Sequence, residues 1–164
     1  MAKTTDFRSM PGHLIRRAHQ ISVAIFMDEC AAQNMTSVQF ACLVEIARHP
    51  GIDATRLASA VAVDRSTLGN VLERMEGKGW VERRPSPDDR RVKLLHMTAA
   101  GKPLLRAAGD AARATQKRIL APLSVEEQAT FLRLLERLVD GNNEVSRVPL
   151  DCQASDSATK IVRS

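Results

Sequence analysis

The stretch Lys78–Gly101, KGWVERRPSPDDRRVKLLHMTAAG, sets two β-favouring runs on either side of a charged, proline-containing tip. Trp80 and Val81 begin the first run and Val92 to Met97 form the second, a pattern that predicts a β-hairpin. Pro85 and Pro87 lack the amide donor of a ladder and are expected to exclude further regular pairing. At the tip, Asp88 and Asp89 precede Arg90 and Arg91. Two guanidiniums on a projecting loop suit the narrow, electronegative minor groove of DNA, and the carboxylates are expected to orient them. Taken alone, a charged hairpin tip is usually only a solvated turn, so the flanking segments must decide.

Directly before the hairpin lies DATRLASAVAVDRSTLGNVLERMEGKGW. Asp53 is expected to cap a short helix packed through Leu57, Ala58 and Val61, and Asp64 to cap a second one a few residues later. In the second, Leu68, Val71, Leu72 and Met75 follow the spacing of a single buried stripe, and Gly77 and Gly79 end it. At about 100° per residue the opposite face carries Ser66, Asn70 and Glu73, with Thr67 and Arg74 beside them. Small hydroxyls, an amide and a guanidinium on one exposed face match a recognition helix entering the major groove, although a helical hairpin with a solvated side has the same pattern. With a hairpin attached, the two short helices become a winged helix-turn-helix.

Longer helices are expected outside this unit. Pro11 and Gly12 open a helix that is expected to run to Gln33 and to be covered on several sides. A capping box at Thr36 to Gln39 and the stop His49-Pro50-Gly51 bound a helix over 37–48. After the hairpin, Thr98 is expected to cap an Ala-rich helix that reaches Leu120 before Pro122. A second capping box, Ser124 to Glu127, opens a helix with the apolar stripe Phe131, Leu134, Leu135, Leu138 and Val139, ending before Gly141. These end helices carry more apolar surface than a lone winged helix can cover, which predicts a symmetric homodimer. The expected class is mainly α with a small β-hairpin wing. The chain divides into an N-terminal dimerisation helix (1–35), a winged helix-turn-helix domain (36–98), C-terminal dimerisation helices (99–142) and a flexible tail (143–164).

Composition agrees with this reading. The 164 residues include 44% hydrophobic and only 3% aromatic residues, with no Tyr, which favours helix over an all-β fold. A formal net charge of +5 suits an anionic partner such as nucleic acid. No apolar run reaches transmembrane length, and the N-terminus turns polar where a signal peptide would become apolar, so the expectation is a cytoplasmic protein with no membrane partner. His13, His19, His49 and His96 show no zinc spacing, and no glycine-rich phosphate loop is present. Neither an enzymatic activity nor a cofactor is expected.

The order of helices and the run LASAVAVDRSTLGNVLERMEGKGWVERRPSPDDRRVKLLHMTAAG resemble the MarR family of bacterial transcription regulators. The likeness rests on the D-x-R wing, Asp89 and Arg91 here, followed by an LT-x-x-G signature in which this chain has Met97 for Leu; both residues fill an apolar site. It covers roughly residues 10 to 142. The resemblance implies a homodimer that binds a palindromic operator, usually as a repressor released by a small anionic or phenolic ligand. Carried over by position, Arg91 is the minor-groove arginine, Arg90 its neighbour on DNA, and Arg65, Ser66, Thr67, Asn70 and Arg74 meet bases and phosphates. Some relatives instead sense oxidants through a cysteine early in the first helix beside tyrosines. Here Cys30 falls near that helix's end and Tyr is missing, so an inert buried thiol is expected at Cys30 and Cys42, with a thiol redox sensor as the alternative.

The first helix carries one further cluster, PGHLIRRAHQ, with His13, Arg16, Arg17 and His19 within two turns. These arginines are read as buried and in need of an anion, supplied either by a partner subunit or by a ligand. An Arg fork matches a carboxylate, a His can bond a ring hydroxyl or nitrogen, and Ile15, Phe26 and Phe40 could hold a flat ring. The resemblance places the effector pocket between the dimerisation helices and the winged domain, and relatives with a similar run respond to hydroxylated aromatic acids. The expected effector is a hydroxybenzoate- or hydroxynicotinate-type aromatic acid linked to aromatic catabolism.

Overall fold

In the computed structural model, residues 6–150 are described. The expected flexible tail lies mostly outside them. Six α-helices and three short strands follow in the order α1 (Pro11–Glu29), α2 (Ser37–Arg48), β1 (Ile52–Asp53), α3 (Ala54–Ala60), α4 (Arg65–Gly77), β2 (Val81–Pro85), β3 (Lys93–Met97), α5 (Gly101–Leu120) and α6 (Val125–Asp140). None of these helices is long and apolar enough to cross a membrane.

Local side-chain chemistry sets most of the boundaries. Thr36 and Gln39 satisfy each other's backbone donors at the start of α2, and Ser124 and Glu127 do the same for α6. Asp53 accepts from the amides of Thr55 and Arg56, and Asp64 from that of Thr67. Each cap supplies an acceptor to a first-turn amide that has none within its helix.

The core belongs to the winged unit. Leu43 and Ile46 of α2, Leu57 of α3, Leu68, Leu72 and Met75 of α4, and Val81 and Leu95 of the wing are fully buried together. Each side chain of this size contributes about 1.5–3 kcal/mol relative to an exposed one. Trp80 and Ala108 join the cluster, which ties the base of the wing to α5. α1 packs along α5, and Arg118 of α5 reaches Asp28 at 2.5 Å and Glu29 at 2.6 Å. That pairing offsets two carboxylates that otherwise oppose the negative end of the α1 dipole.

Several expectations require correction. α1 ends at Glu29 rather than Gln33; a 3-10 turn over Ala31–Gln33 follows, closed by Asn34 in the left-handed region at φ 47°. Nor is α1 covered on several sides within one chain, since Phe26 is its one buried residue while Leu14, Ile15, Ile21 and Met27 are exposed. The wing is part of a three-stranded antiparallel sheet in the order β1-β3-β2, with Ile52 opposite Leu95. Pro85 does not exclude pairing: it sits opposite Lys93 as the last residue of the edge strand β2, where a missing donor is tolerated. The second strand begins at Lys93, not Val92.

Thr98 does not start α5. The helix begins at Gly101 with Ala100 in the capping position, yet the Thr98 hydroxyl oxygen accepts from Gly101 N at 3.1 Å and the hydroxyl lies 2.6 Å from Gly79 O as its donor. The segment assigned to a tail also starts ordered: Asn143–Val145 form a 3-10 turn, and the Asn143 side chain bonds both backbone groups of Leu150.

Candidate nucleic-acid interface

α4 is held by the stripe foreseen in the sequence, with Leu68, Leu72 and Met75 buried and Val71 half-buried. Its other side presents Arg65, Ser66, Thr67, Asn70 and Arg74, all exposed. Ser66 and Thr67 are partly occupied: their hydroxyls donate to Asp64 Oδ1 and Oδ2, each at 2.7 Å. The Thr67 amide, then the Ser66 and Thr67 hydroxyls, hold the Asp64 carboxyl well below the usual range. Asn70, Arg65 and Arg74 make no side-chain hydrogen bond or ion pair among the described residues and remain open to an external partner.

The wing tip is built around one carboxylate. Asp89 Oδ1 accepts from the Arg91 amide at 3.0 Å, and its two oxygens accept from Arg91 Nε and Nη2 at 2.9–3.2 Å. Asp89 O also accepts from Val92 N, which closes the turn. The clasp fixes the Arg91 stem while leaving its side chain 90% exposed, and the same guanidinium lowers the Asp89 carboxyl below its ordinary range. Arg90 is exposed and has no partner among the described residues. Of the two acidic residues expected to orient arginines, Asp89 does so. Asp88 instead has its amide 3.3 Å from Ser86 Oγ.

Between α3, α4 and the wing lies an open cleft of about 680 Å³, lined by Arg56, Arg65, Arg83 and Lys93 as well as by Gly69 and apolar core residues. Arg56, Arg83 and Lys93 were missed in the sequence. Each is an unremarkable surface cation until the sheet brings β2 and β3 alongside α4, where Arg83 Nε forms an ion pair with Glu76 Oε2 at 3.1 Å.

The effector cluster is less assembled. His13 is half-buried and Arg16, Arg17 and His19 are exposed, so the reading of buried arginines fails for a single chain. Arg16 Nη2 lies 3.5 Å from His13 Nδ1, and Arg17 Nη1 donates to Gln20 Oε1 at 3.4 Å. Arg17 and His19 are about 160° apart around the helix and cannot converge on one small ligand. The aromatic floor is present in part: Phe26 and Phe40 stand 5.9 Å apart, Phe26 buried, whereas Ile15 is exposed. The cleft of 680 Å³ includes none of the four cluster residues. Cys30 and Cys42 are free and buried; burial, and then the Glu29 charge, raise the Cys30 thiol, and burial pushes Cys42 up to about 12.

A helix-turn-helix with an exposed polar recognition face, continued directly into an arginine-tipped wing, defines a winged helix-turn-helix DNA-binding protein. The model of the MarR family matches residues 35–93. The HTH-type transcriptional repressor NicR of Pseudomonas putida is 31% identical over 137 residues, 84% of this chain and 87% of that protein. The chain belongs to the MarR family of transcriptional regulators. Among solved structures, BpsR of Bordetella bronchiseptica, whose DNA binding is described as regulated by 6-hydroxynicotinic acid, superposes with a TM-score of 0.76 at 28% identity, covering 82% of this chain and 96% of that one. The PcaV regulator of Streptomyces coelicolor, solved with its natural ligand, gives 0.75 at 32% identity over 85% and 98%.

Proposed function

We propose that this protein is a homodimeric, ligand-responsive repressor that binds a palindromic operator and is released by a small aromatic carboxylate of the hydroxybenzoate or hydroxynicotinate type. The observation that carries the DNA-binding part is the pairing of an exposed polar face on α4 with a clasped, outward-directed Arg91 on the wing. In this reading Asn70 and Arg74, with Arg65, Ser66 and Thr67, enter the major groove, and Arg90 and Arg91 enter the adjacent minor groove. Residues 1–35 and 99–142 form the dimerisation region around the winged domain at 36–98. The protein acts by binding rather than by catalysis, in the cytoplasm where its operator lies.

The effector class draws support from BpsR and from the chemistry of α1. His13, Arg16, Arg17 and His19 are placed as ligand or partner contacts on a helix whose apolar face a second subunit would cover. Because the four spread around α1, the carboxylate falls to one arginine of each chain, not to all the cations together. An effector bound there favours a spacing of the two α4 helices that no longer fits the operator, and its effect is bounded by its differential affinity for the two states. Calorimetry with hydroxybenzoates, hydroxycinnamates and hydroxynicotinates tests this. At least one acid binds the wild type, and Arg16→Ala or Arg17→Ala weakens it roughly tenfold or more, the worth of a charge-assisted pair. Silence of every acid, or equal binding by His13→Ala, Arg16→Ala, Arg17→Ala and His19→Ala, removes the pocket while leaving the DNA reading intact. Burial and raised thiols at Cys30 and Cys42 weigh against the thiol-sensor alternative at these two positions.

A further inference from the structure

We infer that Gly69 is a clearance residue for DNA: it keeps open a cleft between the recognition helix and the wing that seats the phosphodiester strand dividing the major groove from the minor groove. The inference rests on the DNA-binding reading above and extends it to residues which that reading does not use.

Gly69 lies in the fifth position of α4 with an ordinary helical backbone. A glycine inside a helix costs about 1 kcal/mol relative to alanine, so its presence needs a cause. At Gly101 the cause is internal, because an added Cβ would stand 2.4 Å from Trp80 O. At Gly69 an added Cβ meets nothing within 4 Å. The same holds for the helical glycines Gly12 and Gly77, so among the described residues no neighbour requires the missing side chain at any of the three; Gly69 is the one of them that lines the basic cleft.

The surroundings indicate what approaches. Gly69 is about 40° around the helix from Arg65 and about 20° from Glu76, on the flank that Glu76 ties to Arg83 of β2. It therefore faces the wing and lines the cleft with Arg56, Arg65, Arg83 and Lys93. Asp53 is the one carboxylate in that lining, and its Oδ1 already accepts from two amides of α3 at 2.8 and 2.9 Å. Arg56, Arg65 and Lys93 have no ion pair among the described residues, and Arg83 is held through Nε, which leaves its terminal amines for another acceptor. An open cleft with this excess of cations fits a polyanion.

Groove geometry then fixes the occupant. When a helix lies in the major groove and its wing in the next minor groove, one sugar-phosphate strand separates the two and must pass between helix and wing. In this fold that passage is the cleft at Gly69. A side chain there would stand in the path of the strand and hold α4 away from the base edges, whereas glycine allows the close approach.

The test uses the full chain and a mixed-sequence duplex of about 30 base pairs, since phosphate contacts are independent of sequence. Gly69→Ala and Gly69→Gln are expected to melt at the wild-type temperature or above, because both are better helix formers with free space around them. In fluorescence anisotropy at fixed salt, Gly69→Gln is expected to lose roughly tenfold or more in duplex affinity, with Gly69→Ala between it and wild type. Arg56→Gln and Lys93→Gln, each removing one phosphate contact per subunit of the dimer, are each expected to lower the slope of log affinity against log salt by about 2. Wild-type affinity for Gly69→Gln, or unchanged slopes for both cation variants, overturns the cleft while the DNA-binding reading stands. A wild type that ignores the duplex while remaining folded overturns both.

Discussion

At the scale of single residues the wing turns on Asp89. In the proposed complex a carboxylate at the wing tip repels phosphate, yet Asp89 bonds the Arg91 backbone and guanidinium together. If orientation outweighs repulsion, Asp89→Ala weakens operator binding although it removes a negative charge, and Arg91→Ala weakens it by roughly tenfold or more. Tighter binding by Asp89→Ala in a salt-matched titration would show that charge alone matters. Because Arg91 depresses the Asp89 carboxyl, the clasp is fully formed above the ordinary carboxylate range and is lost only as pH falls through the lowered value. The thiol of Cys42 has the opposite sign. Its ionisation is raised to about 12 by burial, so the protonated thiol favours the fold below the free-thiol value, and that stability fades as pH rises from about 9 towards 12. Iodoacetamide at neutral pH is accordingly expected to leave Cys42 unmodified in the native protein and to label it in denaturant. Rapid native labelling would reopen the redox reading.

Among the elements, the turn between α3 and α4 holds a conformational cost. Ala62 occupies the left-handed region at φ 52°, where an L side chain is disfavoured by about 1–2 kcal/mol. Ala62→Gly relieves this but loosens the unfolded chain by about 0.4–1 kcal/mol, so a net gain of about 0.5–1 kcal/mol is expected in chemical denaturation. A loss would mean that the turn is held by contacts of the Ala62 methyl group. This turn also shows where the sequence was legible. Caps at Thr36, Asp53, Asp64 and Ser124 are contacts within one helical turn and could be read directly, as could the buried stripe of α4. The strand β1 could not: its two residues become a strand only because Leu94 and Leu95, more than forty positions later, pair with them. The end of α1 was equally hidden, because Arg118 secures its last acidic residues from about ninety positions away. The signature at Thr98 and Gly101 was visible, but its reason is tertiary: Thr98 stitches Gly79 to Gly101, and Trp80 O leaves no room for a Cβ. The exposed polar face of α4 could be assigned from helical periodicity, whereas the basic cleft required the sheet register.

At the scale of the whole molecule, α6 is the element that one chain cannot explain. It has a capping box and a continuous apolar stripe, yet Phe131, Leu132, Leu134, Leu135, Leu138 and Val139 are 39–50% exposed and no α6 residue is buried. Leu14, Ile15 and Ile21 of α1 are exposed as well. Burying the remaining half of each such side chain contributes about 1 kcal/mol, and a symmetric interface counts every one twice. In the proposed homodimer a second copy covers both surfaces and supplies the second recognition helix that a palindrome requires. Leu135→Asp combined with Leu138→Asp places two charges in that interface without touching the core around Leu43 and Leu72. The double variant is expected to run as a monomer in light scattering and to retain helical circular dichroism. It should bind an isolated half-site like wild type but lose about a hundredfold or more on the full palindrome, because the second half-site no longer benefits from the high effective concentration of a linked subunit. A variant that stays dimeric with full palindrome affinity would place the interface elsewhere and leave the apolar face of α6 for a different partner.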